Sequence, residues 1–241
     1  MNDNDMNRYM EEFTSRTRMI VGDEGMYKLA FARVAVFGAG GVGGSVIGAL
    51  ARAGVGQIVI MDGDRVTASN INRQILYTME DVGKYKTQAA VEHIHAVNPW
   101  CKVIPVDSFF RPGDKFPFDS NTYVVDAVDD VKAKVYIAKC CKEKGCREIA
   151  AMGAGNKLDP TKFHVADIYE TKICPLAKVM RKEYKDAGIE HLKVVYSTEE
   201  PMQMQPGQKA VGSVSFVPPV MGYVIASEVV KDILAADLPE A

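Results

Sequence analysis

"RVAVFGAGGVGGSVIGALARAG", residues 33–54, runs from a β-branched apolar stretch through a cluster of glycines into an apolar helical pattern. That order reads as strand (33–37), tight turn, helix (42–53), and Gly38, Gly40 and Gly43 fit G-x-G-x-x-G. Working outward, further short apolar runs follow: QIVIM (57–61), KVIPV (102–106), TYVVDA (122–127) and REIAAM (147–152). Helical patterns over 84–97 and 131–145 lie between them. None of the runs alternates cleanly, as expected of strands covered by helices on both faces. The alternation predicts an α/β, Rossmann-like, doubly wound and mainly parallel sheet.

The flanks extend this core. Residues 1–32 read as a polar lead-in and then a helix near "DEGMYKLAFA", for which Asp23 is a candidate N-cap. Residues 33–152 form the core. Residues 153–241 read as a C-terminal α/β elaboration that completes the site, because no polar linker sets them apart. Within them we expect a strand over 161–169, a helix from Pro175 to Gly188, a strand in "LKVVYS", a Pro/Gln/Gly-rich loop over 199–212 and an apolar last helix.

The bulk numbers narrow the function classes. The chain has 241 residues, 47% hydrophobic and 25% charged, with a formal charge of −2, which excludes a strongly basic nucleic-acid coat protein. Five cysteines without disulfide-scaffold spacing point to a reducing, cytoplasmic compartment. The start is acidic and polar without an apolar h-region, so no signal peptide is expected, and no apolar run is long enough to span a membrane.

The glycine turn alone leaves the ligand open. A phosphate could approach the helix N-terminus, and Asp62, at the end of the second strand, could bind a ribose hydroxyl in either NAD or ATP. The segment "MDGDRVTASNINRQ" tips the balance, with Asp64, Asn70, Asn72, Arg73 and Gln74 just past a strand end. Hydride transfer does not ask for this dense polar set, whereas a triphosphate needs cations, amides and a carboxylate for Mg²⁺. Arg73 offers a guanidinium fork, Lys86 a mobile point charge, and Asp129 a magnesium ligand beyond the fourth strand. Taken singly, Arg73 and Lys86 read as solvated charges and Asp129 as a helix N-cap; together they favour ATP.

"GAGGVGG", "MDGDRVTASNINRQ", "VGKYK" and "VVDAVDD" together resemble the MoeB/ThiF/HesA superfamily, adenylating domains related to ubiquitin-activating enzymes. The segments "MGAGNKLDPTKFHVADIYETKICPLAKVMRKE" and "VVYSTEEP" resemble its tRNA threonylcarbamoyladenosine dehydratase (TcdA, or CsdL) branch, so that the likeness runs from about residue 13 to the C-terminus. The resemblance implies that Gly38, Gly40, Gly41 and Gly43 lie against the nucleotide and that Asp62, with Asp64 near it, serves the ribose end. Asn70, Arg73, Gln74 and Lys86 would surround the triphosphate, and Asp129 would hold Mg²⁺. Arg16 would reach into the partner's ATP site, making the active unit a homodimer and Arg16, Arg73, Lys86 and Asp129 the catalytic set. The implied reaction is adenylation of the carboxylate of threonylcarbamoyladenosine in tRNA by ATP, followed by ring closure from within the modification.

The sequence also departs from its relatives. Cys140 and Cys141 are adjacent and Cys146 adds only C-x₄-C, so no structural zinc is expected. "KVVYSTEE" lacks the cysteine that some relatives carry there, and Cys174, before Pro175, reads as a buried thiol. For a tRNA partner, Lys178, Arg181, Lys182 and Lys185 share one face of a predicted helix, and "KAKVYIAKCCKEKGCR" forms a second basic run. His164 and His191 read as surface histidines. Met202 and Met204 read either as cover for the substrate entrance or as packing. The main rival is an enzyme that adenylates the C-terminal glycine of a ubiquitin-like sulfur carrier; a sulfur-transfer protein also stands as a partner of the first reading. A dehydrogenase and a catalytically dead adaptor rank lower.

Overall fold

The computed structural model describes residues 3–203, 207 and 210–236, so Met204 and part of the 199–212 loop lie outside the described residues. The chain opens with helix α1 (Asp3–Phe31), which breaks at Gly22, where φ is 72°. The expected lead-in is therefore helical from Asp3, and Asp23 pairs with Arg18 beside the break. Next come β1 (Arg33–Phe37), α2 (Gly41–Ala53), β2 (Gln57–Met61), α3 (Lys86–Val97) and β3 (Lys102–Val106). They are followed by β4 (Thr122–Asp126), α4 (Val131–Lys144), β5 (Glu148–Ala151) and β6 (Phe163–Asp167). The chain finishes with α5 (Pro175–Asp186), β7 (Lys193–Ser197) and α6 (Val217–Ala235).

The seven strands form one sheet in the order β3-β2-β1-β4-β5-β7-β6. All pairings are parallel except β6 with β7, in which Phe163 faces Ser197 and Asp167 faces Lys193. β6 lies at the edge of the sheet and runs antiparallel to β7, to which the chain returns through α5. The chain moves outward from β1 through β2 to β3, then restarts at β4 on the other side. This reversal opens a crevice at the carboxyl ends of β1 and β4, where open α/β sheets place their ligands.

Alternate residues of each strand feed different cores. Val34, Val36, Ile58, Ile60, Val125 and Ile149 pack with α1, α2, α3 and α6 on one face. Ala35, Phe37, Val59 and Val124 meet Phe110, Phe118, Ile137 and Cys141 on the other, and Ala150 and Val194 pack there against Ala177, Met180 and Tyr184 of α5. The apolar helix α6 lies against α2 closely enough that a β-carbon at Gly222 would come 2.4 Å from Val42 O. Among the described residues no helix is long and apolar enough to cross a membrane.

Candidate nucleotide-binding and adenylation site

The turn between β1 and α2 is fixed before any ligand arrives. Gly38 adopts φ 89°, a left-handed conformation that favours glycine, and a β-carbon there would lie 2.7 Å from Ala127 O. Asp62, at the end of β2 and 7% exposed, accepts from Ala39 N at 2.7 Å and from Asp64 N at 2.8 Å. Tyr77 donates its hydroxyl to Ala39 O at 2.7 Å. Burial, and behind it the Asp62 carboxylate, pushes the Tyr77 hydroxyl far above its ordinary range, so it remains a donor. The amide and the carbonyl of Ala39 are thus both fastened, and Gly40, Gly41 and Val42 line the crevice at the start of α2, where backbone amides lack intrahelical partners.

A cavity of about 890 Å³ opens above this turn. Gly38, Gly40, Gly41, Asp62, Asp64, Asn70, Arg73, Gln74, Lys86 and Asp129 all line it, so the structure brings together residues scattered over 92 positions of sequence. Gly43 is the exception. It is buried beneath the turn, where a β-carbon would fall 1.8 Å from Gly38 O. Its part is to let α2 approach the turn, and unlike the other three glycines it does not line the cavity.

The charged groups are arranged in two tiers. Lys86 opens α3 and is 5% exposed, with Nζ 2.7 Å from Asp64 Oδ2 and 3.9 Å from Asp62 Oδ2. Asp64 therefore acts first on Lys86 rather than on a ligand. Higher up, Arg73 donates through Nη1 to Ser69 O at 2.9 Å and to Asn72 Oδ1 at 2.8 Å, which holds the guanidinium at the cavity wall. Asn70 accepts from Thr67 N with Oδ1, fastening the short turn that presents Arg73 and Gln74. Among the described residues, Gln74 Oε1 and Ser213 Oγ are buried without hydrogen-bond partners, and both residues line the cavity. Orphaned polar atoms at such a wall are what a bound polar ligand would satisfy.

On the opposite side, Asp129 is exposed and free of capping duty. The N-cap of α4 is Asp130, which accepts from Ala133 N at 2.7 Å. The loop before it is anchored from below by Asp126, which accepts from Val128 N and pairs with the fully buried Lys134 at 3.0 Å. Among the described residues no group of three or more His, Cys, Asp or Glu could hold a metal by itself. A single free carboxylate is nevertheless the usual protein share for magnesium, which keeps waters and binds chiefly to phosphates. Asp129 fits that role.

Sequence reading missed Arg111, which lines the same cavity with Phe109, Phe110 and Pro112. Its position beyond the carboxyl end of β3 was the available signal. It also missed Asn156, held at φ 55°, whose Oδ1 accepts from Gly212 N while its own N–H donates to Gly212 O. That pair ties the loop after β5 to the segment before α6, both of which wall the cavity through Gly155 and Val211. Arg16 is exposed on α1 and does not line this cavity.

The basic faces fare differently. Lys178, Lys182 and Lys185 are exposed on α5, but Arg181 is half-buried and donates to Thr171 O at 2.9 Å and Thr171 Oγ1 at 2.6 Å. Arg181 is therefore removed from the outward cationic set. In the second run, Lys134 is sealed against Asp126 and Lys132 lines the cavity, while Lys139, Lys142, Lys144 and Arg147 are exposed away from it. His164 is exposed on β6 and His191 lies beside Asp167, both away from the cavity.

The sequence matches the ThiF family over residues 14–241. The chain belongs to the ThiF family. Among its ThiF-family relatives, the tRNA threonylcarbamoyladenosine dehydratase of Bacillus subtilis is 36% identical over 238 residues, covering 91% of this chain and 94% of the relative. The E. coli tRNA N6-threonylcarbamoyladenosine dehydratase, TcdA, solved in complex with ATP, superposes with a TM-score of 0.83 at 31% identity over 93% of this chain and 95% of that one. The same enzyme in complex with AMP gives 0.84 over the same shares. The ThiF-family fold thus spans nearly the whole chain, including β6, α5 and β7.

Proposed function

We propose that this chain is an ATP-dependent tRNA threonylcarbamoyladenosine dehydratase. The observation that carries the reading is the single cavity in which the fastened glycine turn, Asp62, Arg73, Lys86 and Asp129 converge. Support comes from the end-to-end similarity to enzymes of that name and from the ATP and AMP complexes of the E. coli protein. In this reading residues 33–152 hold the nucleotide, while residues 153–241 receive the carboxylate and residues 1–32 reach a partner.

The chemistry follows from the charges. A carboxylate oxygen of the substrate attacks the α-phosphorus of ATP, the bond to the β-phosphate oxygen breaks, and pyrophosphate leaves. Carboxylate and triphosphate repel each other, so the chain's main task is to hold both in line and offset their charge. Arg73 and Lys86 do this on one wall, and the turn amides on another. Magnesium bound to the phosphates, with Asp129 as its protein ligand, would neutralise charge on the departing pyrophosphate. A nucleophile within the same modification then attacks the activated carboxyl carbon and expels AMP, so no enzyme cysteine is required. The buried carboxylate of Asp62 and the exposed one of Asp64 keep that cation from drifting when the site is empty.

Arg16 in this reading completes the partner's site in a homodimer. Met19 and Ile20, 75% and 87% exposed on the same stretch of α1, support an apolar contact between protomers there. The basic residues Lys178, Lys182 and Lys185 contact tRNA phosphates.

The test is direct. The protein, ATP and Mg²⁺ are incubated with threonylcarbamoylated tRNA, and the nucleosides are weighed. Loss of one water from the modified adenosine is expected, with one AMP formed per event. An unchanged nucleoside mass, with AMP formed on adding a sulfur carrier ending in Gly-Gly, would replace this reading with its rival.

A further inference from the structure

Ile173 is held at φ 67°, a left-handed conformation that is a genuine outlier for a β-branched residue. The strain sits in a three-residue γ-turn closed by Cys174 N donating to Lys172 O at 2.7 Å. Its surroundings leave the turn no alternative. Upstream, Arg181 clamps Thr171 through both its carbonyl and its hydroxyl, and that hydroxyl donates to Ile168 O at 2.6 Å. Downstream, Cys174 is 1% exposed and Pro175 starts α5. The outcome is an apolar side chain left 53% exposed at the tip of a rigid turn. Strain of this kind persists where a position is put to use.

The turn stands close to the candidate site. A β-carbon at Gly153 would lie 3.5 Å from Cys174 Sγ and 3.7 Å from Leu176 Cβ, and the next two residues, Ala154 and Gly155, line the cavity. Around the turn, Lys172, Lys178 and Lys182 are exposed, with Glu170 the nearest exposed acid in sequence. Arg181, a member of the expected phosphate-binding set, is instead the clamp that keeps Ile173 presented.

We propose that Ile173 is a wedge that inserts beside the modified adenosine of the tRNA loop, unstacking its neighbour while Lys172, Lys178 and Lys182 hold the flanking phosphates. The inference rests on the tRNA reading given above. A modification buried in a base stack cannot deliver its carboxylate to a pocket some residues deep, and apolar side chains between base steps are a general means of opening a stack. Cationic flanks supply the non-specific affinity that such insertion requires.

The test compares two substrates: threonylcarbamoylated tRNA, and the same tRNA with an abasic site next to the modified adenosine, where nothing remains to unstack. Ile173→Gly keeps the left-handed turn and deletes the wedge; Ile173→Asn keeps the turn with a polar side chain. Both variants should retain a melting temperature at or near that of the wild type. Both should lose about 10-fold in kcat/KM on intact tRNA and regain most of it on the abasic tRNA. 2-Aminopurine placed next to the modified adenosine should brighten on binding wild-type protein and not on binding either variant. An undiminished rate on intact tRNA, or an equal loss on both substrates, overturns the wedge while leaving the dehydratase reading intact. A wild-type protein that leaves intact tRNA unchanged overturns the dehydratase reading and the wedge together.

Discussion

Arg73 and Lys86 illustrate how two cations at one site do different work. Lys86 is packed between carboxylates, whereas Arg73 is held through one nitrogen and keeps the rest of its fork for a ligand. Arg73→Ala should lower substrate-dependent pyrophosphate release about 100-fold, the cost of one preorganised donor at developing charge. Arg73→Lys should recover only part of that, because a point charge does not replace a planar fork. Both variants should melt close to wild type, since the side chain is not part of a core. Glu148 gives a second prediction. It lies under the sheet beside the Asp126–Lys134 pair, and burial, reinforced by Asp126, pushes its carboxyl from its ordinary 4.5 up to about 8. Between those two values the unfolded chain has released this proton and the folded chain has kept it. Glu148 therefore makes stability fall as pH rises from about 4.5 to 8. Glu148→Gln should flatten that decline in a melting-temperature series, by about 2–4 °C at pH 8 for each kcal/mol regained.

Among the elements, α2 shows the tightest tolerance. Its close approach to the glycine turn depends on Gly43, and Gly43→Ala would drive a methyl group into Gly38 O. We expect a loss of about 2–3 kcal/mol or more, read by denaturant unfolding, together with weakened ATP binding. The sequence showed this element clearly but assigned Gly43 to the ligand, because G-x-G-x-x-G does not say which glycine faces phosphate and which faces the sheet. The parallel strands were legible for a simple reason: each is a short, largely apolar run set between helical patterns or turn residues. The N-terminal half of α1 was not, because its residues have no strong apolar stripe, and a polar helix looks like a polar coil in sequence. Asp130 rather than Asp129 caps α4, a choice between adjacent identical residues that composition cannot make. The γ-turn at Ile173 was equally hidden, since nothing in "TKICPL" demands a left-handed isoleucine.

At the scale of the molecule, the candidate site was legible where it depends on strand ends and obscure where it depends on distant segments meeting. Asp62, Arg73, Lys86 and Asp129 follow strands or open helices that the pattern already located, so the doubly wound topology alone brings them together. Arg111, Asn156 and Ser213 reach the same cavity from loops whose paths no periodicity announces. Arg16 belongs to this scale as well. If it completes a partner's site, mixing Arg16→Ala and Asp129→Ala protomers creates heterodimers with one intact site and one doubly defective site. An equimolar mixture of two inactive variants should then regain about a quarter of wild-type activity after subunit exchange. No recovery, with exchange demonstrated by mass, would mean that Arg16 does not act across the dimer.

The fit of Gly222 against Val42 has a consequence for how the protein is made. The helix that covers the first nucleotide-binding element is synthesised long after it, so a nascent chain still lacking α6 presents the apolar flank of α2 bare. Because domains consolidate as units once their chain has emerged, the phosphate turn at residue 38 waits for residues beyond 217 to leave the ribosome. During that interval the growing chain lacks one cover of its sheet, and its vulnerability to aggregation is greatest until α6 has docked.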